Sequence, residues 1–265
     1  MRMMKKLPIL IVIPHGGYCV PEELEGYQNV TPFDILFEAD TCANELFSFD
    51  EYVAAKINTD VSRLFVDVDR DHLAVPPAFA DGVIKRVTSQ DKEVFTDDVF
   101  PDEIAISNLI QRYYVPFHET IDKIARTGAV RCVLICHTMK VVAPSAAADR
   151  GRPRPLVTVN SVVTRGDDII STAPDDLARG LLDSFRKELG SENATVAERF
   201  SLNSPLFGSH IHKKLSRYDI PVLTVAVSRS LFFNEKYFSY EYLTVDELRI
   251  RQLRERLYNA VKRVF

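Results

Sequence analysis

Short runs of apolar residues alternate along this chain with stretches whose apolar positions recur at helical spacing. Ile9-Leu10-Ile11-Val12-Ile13 is one such run, and it passes directly into Pro14-His15-Gly16-Gly17. Cys132-Val133-Leu134-Ile135-Cys136 is another, and it passes into His137-Thr138. Continuous apolar runs of this length fit strands covered on both faces, as in a parallel sheet between helix layers. Tyr52 to Ile57, Val61 to Asp67, Leu156 to Val163, residues 194 to 200 and Pro221 to Val227 read as further strands. Phe33 to Phe47 predicts a helix carrying Glu38, Asp40 and Glu45. Pro101 opens a longer one, striped by Ile106, Ile110, Tyr113, Phe117, Ile121 and Ile124 and closed by Gly128. Ala173-Pro174-Asp175-Asp176 starts a third, striped by Leu177, Leu181, Phe185 and Leu189. Thr244-Val245-Asp246-Glu247 reads as the capping box of a last helix, striped by Ile250, Leu253, Leu257, Val261 and Val264. Residues 72 to 100 carry no clean period and predict a long, partly ordered excursion of a kind that often carries function. Asn203 to Ile211 reads as a glycine-containing loop. Strands alternating with helices, without an internal repeat, predict an α/β fold, with residues 1–265 forming one domain.

Composition changes this picture little. Of 265 residues, 46% are hydrophobic and 26% charged, the balance of an ordinary globular chain. A net charge of −4 gives no electrostatic reason to expect a nucleic-acid partner. No apolar run approaches ~20 residues, so no membrane-spanning helix is expected. The basic start, Met1 to Lys6, is followed only by Leu7 to Ile13, which leads straight into the histidine motif; this reads as a first strand rather than a signal peptide. The four cysteines lack zinc-ribbon spacing, and Cys132 and Cys136 point to one face of their strand. Buried free thiols in a cytoplasmic protein are the expectation.

The chemistry gathers at strand ends. Ligands of open α/β sheets sit outside the carboxyl ends of the strands. If the two histidine-ended strands are parallel neighbours, His15 and His137 share that edge with Asp69-Arg70-Asp71 and Arg229. Zinc accepts imidazole nitrogen and carboxylate oxygen, and a catalytic site keeps three protein ligands and one open position. Asp40 or Glu38 is placed to supply the third ligand, and the arginines to hold an anionic group by paired hydrogen bonds. His210-Ile211-His212 is a rival chelating pair, against the plainer reading of a solvated loop. His118 reads as a packed or partly exposed helix residue, the Arg150 to Arg154 run as a solvated loop, and His72 is left open.

Seven segments, in order, resemble the N-formylglutamate amidohydrolases, a family related more distantly to aspartoacylases and zinc carboxypeptidases. Ile13-Pro14-His15-Gly16-Gly17 is similar to the family's opening Pro-His-Ser/Ala-Gly. Glu38-Ala39-Asp40-Thr41 with Glu45-Leu46-Phe47 resembles its acidic Asp-Thr segment. Ser62-Arg63 through Val66-Asp67-Val68-Asp69-Arg70-Asp71 resembles its Ser-Arg…Val-Asp-Leu-Asn-Arg stretch. Arg112-Tyr113-Tyr114-Val115-Pro116-Phe117-His118 is close to Tyr-Tyr-x-Pro-Tyr-His, and Cys136-His137-Thr138 to Asp-Cys-His-Ser. Asn203-Ser204-Pro205-Leu206-Phe207-Gly208 resembles Asn-x-Pro-Phe-x-Gly. Leu223 to Phe232 tracks Leu-Gln-Ile-Glu-Ile-Asn-Arg-x-Leu-Tyr. The resemblance implies a phosphorylase/hydrolase-like, three-layer α/β/α fold with a mostly parallel sheet and one zinc ion, with His15, Asp40 and His137 as the metal ligands. It implies a small-molecule substrate whose carboxylate is held by Arg70 with Arg63 or Arg229, and Asn203 among the substrate-binding residues. The family reaction cleaves an N-formyl amide to formate and an amino acid. Zinc would polarise the carbonyl and lower the pKa of a water, and a carboxylate would move the proton.

Two departures qualify that implication. The family's glutamate before Ile-Asn-Arg, taken as the general base, is Ala226 here, which removes a contribution of ~10²–10⁴-fold in rate. The family's asparagine before arginine is Asp69 here, which puts a negative charge beside the arginine expected to grip an anion. The expectation is a zinc-dependent amidohydrolase of a small N-acyl amino acid or related amide, with Asp69 and Arg70 as its catalytic residues. Asp69 is then a relocated base, with Glu198 a weaker candidate. The rival is a homologue that binds metal or ligand without turnover.

Overall fold

The computed structural model describes residues 5–96, 99–145, 147–192, 199–205 and 208–265. In chain order its first half holds β1 (Leu7–Ile13), α1 (Pro32–Glu38), α2 (Ala43–Leu46), β2 (Val53–Asn58), α3 (Glu103–Leu109), α4 (Val115–Ala125) and β3 (Cys132–Met139). The second half holds β4 (Val157–Asn160), β5 (Val162–Arg165), β6 (Asp168–Ser171), α5 (Asp175–Leu189), β7 (Phe200–Leu202), α6 (His210–Leu215), β8 (Val222–Ser228), β9 (Phe238–Ser239), β10 (Thr244–Val245) and α7 (Glu247–Lys262).

The main sheet has six strands in the order β2-β1-β3-β8-β4-β7. Strands β2, β1, β3 and β8 run parallel to one another, and β4 turns antiparallel against β8 with β7 parallel to it. Of the parallel strands, β1, β3 and β8 are buried on both sides, which is why they read as unbroken apolar runs rather than alternating ones, while β2 at the edge is only half-buried. Odd and even positions still separate. Ile9, Ile11 and Ile13 of β1 and Cys132, Leu134 and Cys136 of β3 face α2, α5 and α7. Leu10, Val12, Val133 and Ile135 face α1, α3, α4 and the segment between β2 and α3. The result is three layers, α/β/α. Cys132 and Cys136 are buried free thiols on one face.

Several elements differ from their sequence reading, each for a local reason. Phe33–Phe47 is not one helix. Thr31 and Asp34 cap the start of α1 reciprocally, and α1 ends at Glu38, where Asp40 N donates to His15 O at 2.8 Å. Cys42 then takes a left-handed φ of 58° before α2. Val61–Asp67 is a turn rather than a strand. Phe65 and Val66 N–H both donate back to Ser62 O, and its apolar residues are buried under the 72–100 excursion. Leu156–Val163 splits at Ser161, whose N–H donates to the Asn203 side chain instead of continuing the ladder. The predicted strand at 194–200 falls largely on residues outside those described; β7 begins at Phe200. Asn203–Ile211 ends inside a helix, since α6 begins at His210 behind the Ser209 cap. The last helix is capped by Asp246, which accepts from Arg249 N, because Thr244 and Val245 pair with β9. The long helix expected from Pro101 keeps its stripe but contains a π turn at Ile110–Tyr114, just ahead of Pro116, whose missing N–H disturbs the regular ladder.

Candidate active site

β1 and β3 are parallel neighbours, with Val12 opposite Ile135, so both chains leave the sheet at the same edge. His15 and His137 therefore meet there, with ring centroids 5.2 Å apart. The break between α1 and α2 drops Asp40 between them. Its Oδ2 lies 2.7 Å from His137 Nδ1 and 3.7 Å from His15 Nδ1. Donor atoms of His15, Asp40 and His137 all lie within 4.8 Å of one another. Glu38, the alternative third ligand, points elsewhere: it accepts from Lys140 Nζ at 2.8 Å and from Ser89.

Two glycines let the His15 loop close in this way. A Cβ on Gly17 would collide with the backbone of Asp60 and Val61, and one on Gly16 with the Asn44 side chain. Behind the histidines stand two aspartates. Asp67 Oδ1 bonds His15 Nε2 at 2.7 Å, and Asp69 Oδ2 lies 3.9 Å from His137 Nε2. Asp69 Oδ1 also accepts from Ile211 N, so the same carboxylate holds the start of α6. Asp67 is fully buried among cations, with Arg63 Nη2 at 2.9 Å and Lys85 Nζ at 3.0 Å. Burial would push its pKa up, but His15, Lys85, Arg63 and Arg70 outweigh burial and hold it well below the usual carboxylate range. Asp40 behaves alike: its bonds to His137 and His15 overcome burial and hold it far down. For His15, burial and Arg63 oppose the charged form, yet Asp67 and Asp40 leave its pKa raised.

The two aspartates are carried by a turn that α4 and its π turn support. His118 is buried and bonds Val68 O at 2.8 Å, and Tyr114 Oη donates to Arg70 O at 2.9 Å while meeting His210 Nε2 at 3.1 Å. The Tyr-Tyr-x-Pro-Phe-His pattern thus works from behind the site, and His118 is a packed residue. His210 and His212 do not face one point. His210 meets Tyr114, and His212 is buried between Thr172 and Thr224. His72 is about half exposed beside Asp71.

These groups open into a cavity of about 500 Å³. The excursion supplies one wall through Asp81, Lys85, Val87 and Ser89, and the β3–β4 connection another through Pro144 and Arg154. Arg70 is bound to Asp81 at 2.7 Å, and Arg154 to Asp149 at 2.9 Å. Arg63, one-fifth exposed, donates Nη2 to Asp67 and to no other side chain among the described residues, and lines the cavity with His15. Arg229 is on the cavity wall, but its two terminal nitrogens donate to Phe37 O and Ala39 O, taking up carbonyls at the end of α1. Asn203 is not brought to the cavity; its side-chain oxygen accepts from Ser161 N. Leu206, Phe207 and Glu198 lie outside the described residues. Asp67, Lys85 and Lys140 line or support the site without having been singled out as site residues. Asp67 was visible only as part of a motif, and the lysines sit in segments without a period.

The family model for N-formylglutamate amidohydrolase matches residues 7–233, which include every group described above. The chain belongs to the N-formylglutamate amidohydrolase family. Among solved structures, it is similar to N-formylglutamate amidohydrolase from Ralstonia eutropha JMP134, with 18% identity over 98% of this chain and 93% of that one, and a TM-score of 0.69. A gene product from Agrobacterium tumefaciens is similar at 16% identity over 97% of this chain and 91% of that one, with a TM-score of 0.56. At these identities the likeness shows a shared fold. No curated protein sequence matches the chain. The resemblance read from the sequence puts a glutamate at the position of Ala226. That alanine is fully buried on β8, paired in register with His137 on β3 and with Thr158 on β4. None of the described helices is long and apolar enough to cross a membrane.

Proposed function

We propose that this chain is a zinc-dependent hydrolase of small N-acyl amino acids or related amides, N-formyl compounds among them, working in the cytoplasm with its site carried by a single domain over residues 1–265. The observation that carries the reading is the convergence of His15, Asp40 and His137 at one sheet edge in a chain of this family. Their chemistry suits a zinc-class ion: two imidazoles and one carboxylate leave a fourth position open. Asp67 accepts from His15 Nε2, which turns the Nδ1 lone pair of that ring towards Asp40 and the point where an ion would be held. When bound, such an ion polarises an acyl carbonyl and acidifies a water.

The protein's own groups then divide the remaining work. Among the described residues the Arg63 guanidinium bonds only Asp67, which leaves donors for a substrate carboxylate in the cavity it shares with His15, Asp40 and His137, and Arg70 closes the same side through Asp81. Arg229 acts mainly on α1, holding the carbonyls that precede Asp40 and so fixing that ligand. Asp69 anchors α6 through Ile211 N and lies 3.9 Å from His137 Nε2, which makes it a positioning residue and the next carboxylate to the histidine pair after Asp40 and Asp67. The cavity of about 500 Å³ is large enough for a small N-acyl amino acid.

The experiment is a hydrolysis assay of the zinc-loaded protein on N-formyl-amino acids, following release of the free amine. Turnover that Arg63→Ala weakens mainly through KM supports the reading. The rival, a binding-only homologue, is favoured by Ala226 alone; it predicts metal and ligand binding without amine release.

A further inference from the structure

His212 lies directly behind the cavity wall, fully buried on α6, with both ring nitrogens engaged. Nε2 is 2.7 Å from Thr172 Oγ1, and Nδ1 is 2.9 Å from Thr224 Oγ1. The tautomer follows from Thr172. Its single hydroxyl proton goes to Val222 O at 2.7 Å, so its oxygen is an acceptor for the imidazole. His212 therefore carries its proton on Nε2, and its Nδ1 lone pair accepts the Thr224 hydroxyl proton. Thr224 lines the cavity. With its proton directed inward to His212, it presents lone pairs to whatever occupies the cavity.

The position of Thr224 gives this network its meaning. It stands two residues before Ala226 on β8, on the same face of the strand. The resemblance read from the sequence implies glutamine at 224 and glutamate at 226, whereas this chain has a hydroxyl at the first and a methyl at the second. We propose that Thr224 and His212 form a proton relay that replaces the carboxylate missing at position 226. The relay rests on the amide-hydrolase reading above.

As a water oxygen bonds to the acyl carbon, one of its protons passes to Thr224 Oγ1, and the threonine's own proton passes to His212 Nδ1. When the C–N bond breaks, its electron pair leaves with nitrogen, and the proton returns by the same two hops to that nitrogen. Amide and water give carboxylic acid and amine, and both side chains end as they began. Burial holds the His212 pKa down at about 4, so the ring is neutral at pH 7. Its basicity is then close to that of the glutamate it replaces, about 4.3 unperturbed. Asp69 and His137 are the ionisable groups that face it; Asp69 favours the transient imidazolium and His137 disfavours it. Thr224 is the catalytic residue in this scheme, and His212 acts through it.

The test uses the full zinc-loaded chain and an N-formyl-amino acid. Thr224→Val should lower kcat by roughly 10²-fold or more with zinc content unchanged, the scale of a positioned acid–base group. Thr224→Ser should stay within a few-fold of the natural protein. Adding Ala226→Glu to Thr224→Val should restore at least tenfold, and His212→Gln should lower kcat and move the acid limb of its pH profile. Wild-type kcat in Thr224→Val, or Thr224→Ser as slow as Thr224→Val, overturns the relay while the hydrolase reading stands. No turnover by the natural protein on any N-acyl amino acid overturns that reading and the relay with it. Nitrogen-15 NMR of the natural protein gives a check that needs no variant: the relay requires His212 protonated on Nε2, and a proton on Nδ1 contradicts it.

Discussion

The two faces of the central sheet are stabilised by different physics. On one face, α5 and α7 pack a mainly apolar layer in which Leu181, Phe185, Leu253 and Leu257 are buried in one cluster with β1, β3 and β8, and its ionic group, Arg249 and Arg256 on Glu192, sits just past the end of α5. On the other, the 59–100 segment is drawn over the sheet partly by apolar residues such as Leu64, Phe65 and Ile84 and partly by buried charge. Asp67, Lys85 and Arg63 form one group, and Glu38, Lys140 and Ser89 another. Apolar burial is non-directional, so it fixes a face without fixing an angle. A hydrogen-bonded ionic network fixes angles, at the cost of removing charges from water, and loses heavily when one member is removed. The groups of the proposed site stand on the ionic side, where orientation matters.

Substitutions on the two faces should fail differently. The largest effect is expected at Asp67. Asp67→Asn leaves Lys85 and Arg63 without their shared anion, so chemical denaturation should show a loss of about 3–5 kcal/mol. The same change deprives His15 Nε2 of its carboxylate and should weaken zinc binding about 10–100-fold. Phe185→Ala on the apolar face should cost a similar ~3–5 kcal/mol by opening a cavity, yet leave the zinc affinity of the folded fraction unchanged. Zinc affinity lowered equally in both variants would erase the distinction between the faces.

Acid separates them further. Asp67 has a folded pKa below its unfolded value, so as pH falls the unfolded chain takes up the proton first. Its contribution is therefore present above about pH 4 and is lost as pH falls through the folded value. Denaturation midpoints of Asp67→Asn should begin to converge on those of the natural protein as pH falls below about 4, while Phe185→Ala keeps a constant offset. The smallest effects are expected at the caps. Thr31→Ala on α1 and Asp246→Ala on α7 should each cost about 1 kcal/mol. Of the two, only Thr31→Ala should also reduce zinc binding, because α1 ends two residues before Asp40.

The legibility of the sequence divides along the same line. Parallel strands buried on both sides and helices with a 3.6 period announce themselves, so β1, β8, α5 and α7 were readable within a residue or two, and β3 from its first residue although it runs three residues past Cys136. The meeting of His15 and His137 followed from two strand ends. What was not readable depends on tertiary partners. Val61–Asp67 is apolar enough for a strand, but Ser62 folds it into a turn. The break that places Asp40 is made by Arg229, 189 residues away in sequence from Asp40. Periodicity carries no trace of Arg229 capping α1, of Asp67 gathering Lys85 and Arg63, or of His212 turning inward to Thr224. The same limit explains Asn203, whose motif suggested substrate contact and whose side chain instead ends β4.

Metal content tests the central claim most directly. The natural protein, loaded with zinc and dialysed, should retain about one ion per chain by elemental mass spectrometry, the stoichiometry of a three-ligand site. His15→Ala and His137→Ala should each retain far less, with circular dichroism showing that both remain folded. Equal zinc in the natural protein and both folded variants, or none in the natural protein after loading, would contradict the assignment of His15, Asp40 and His137 as a metal site.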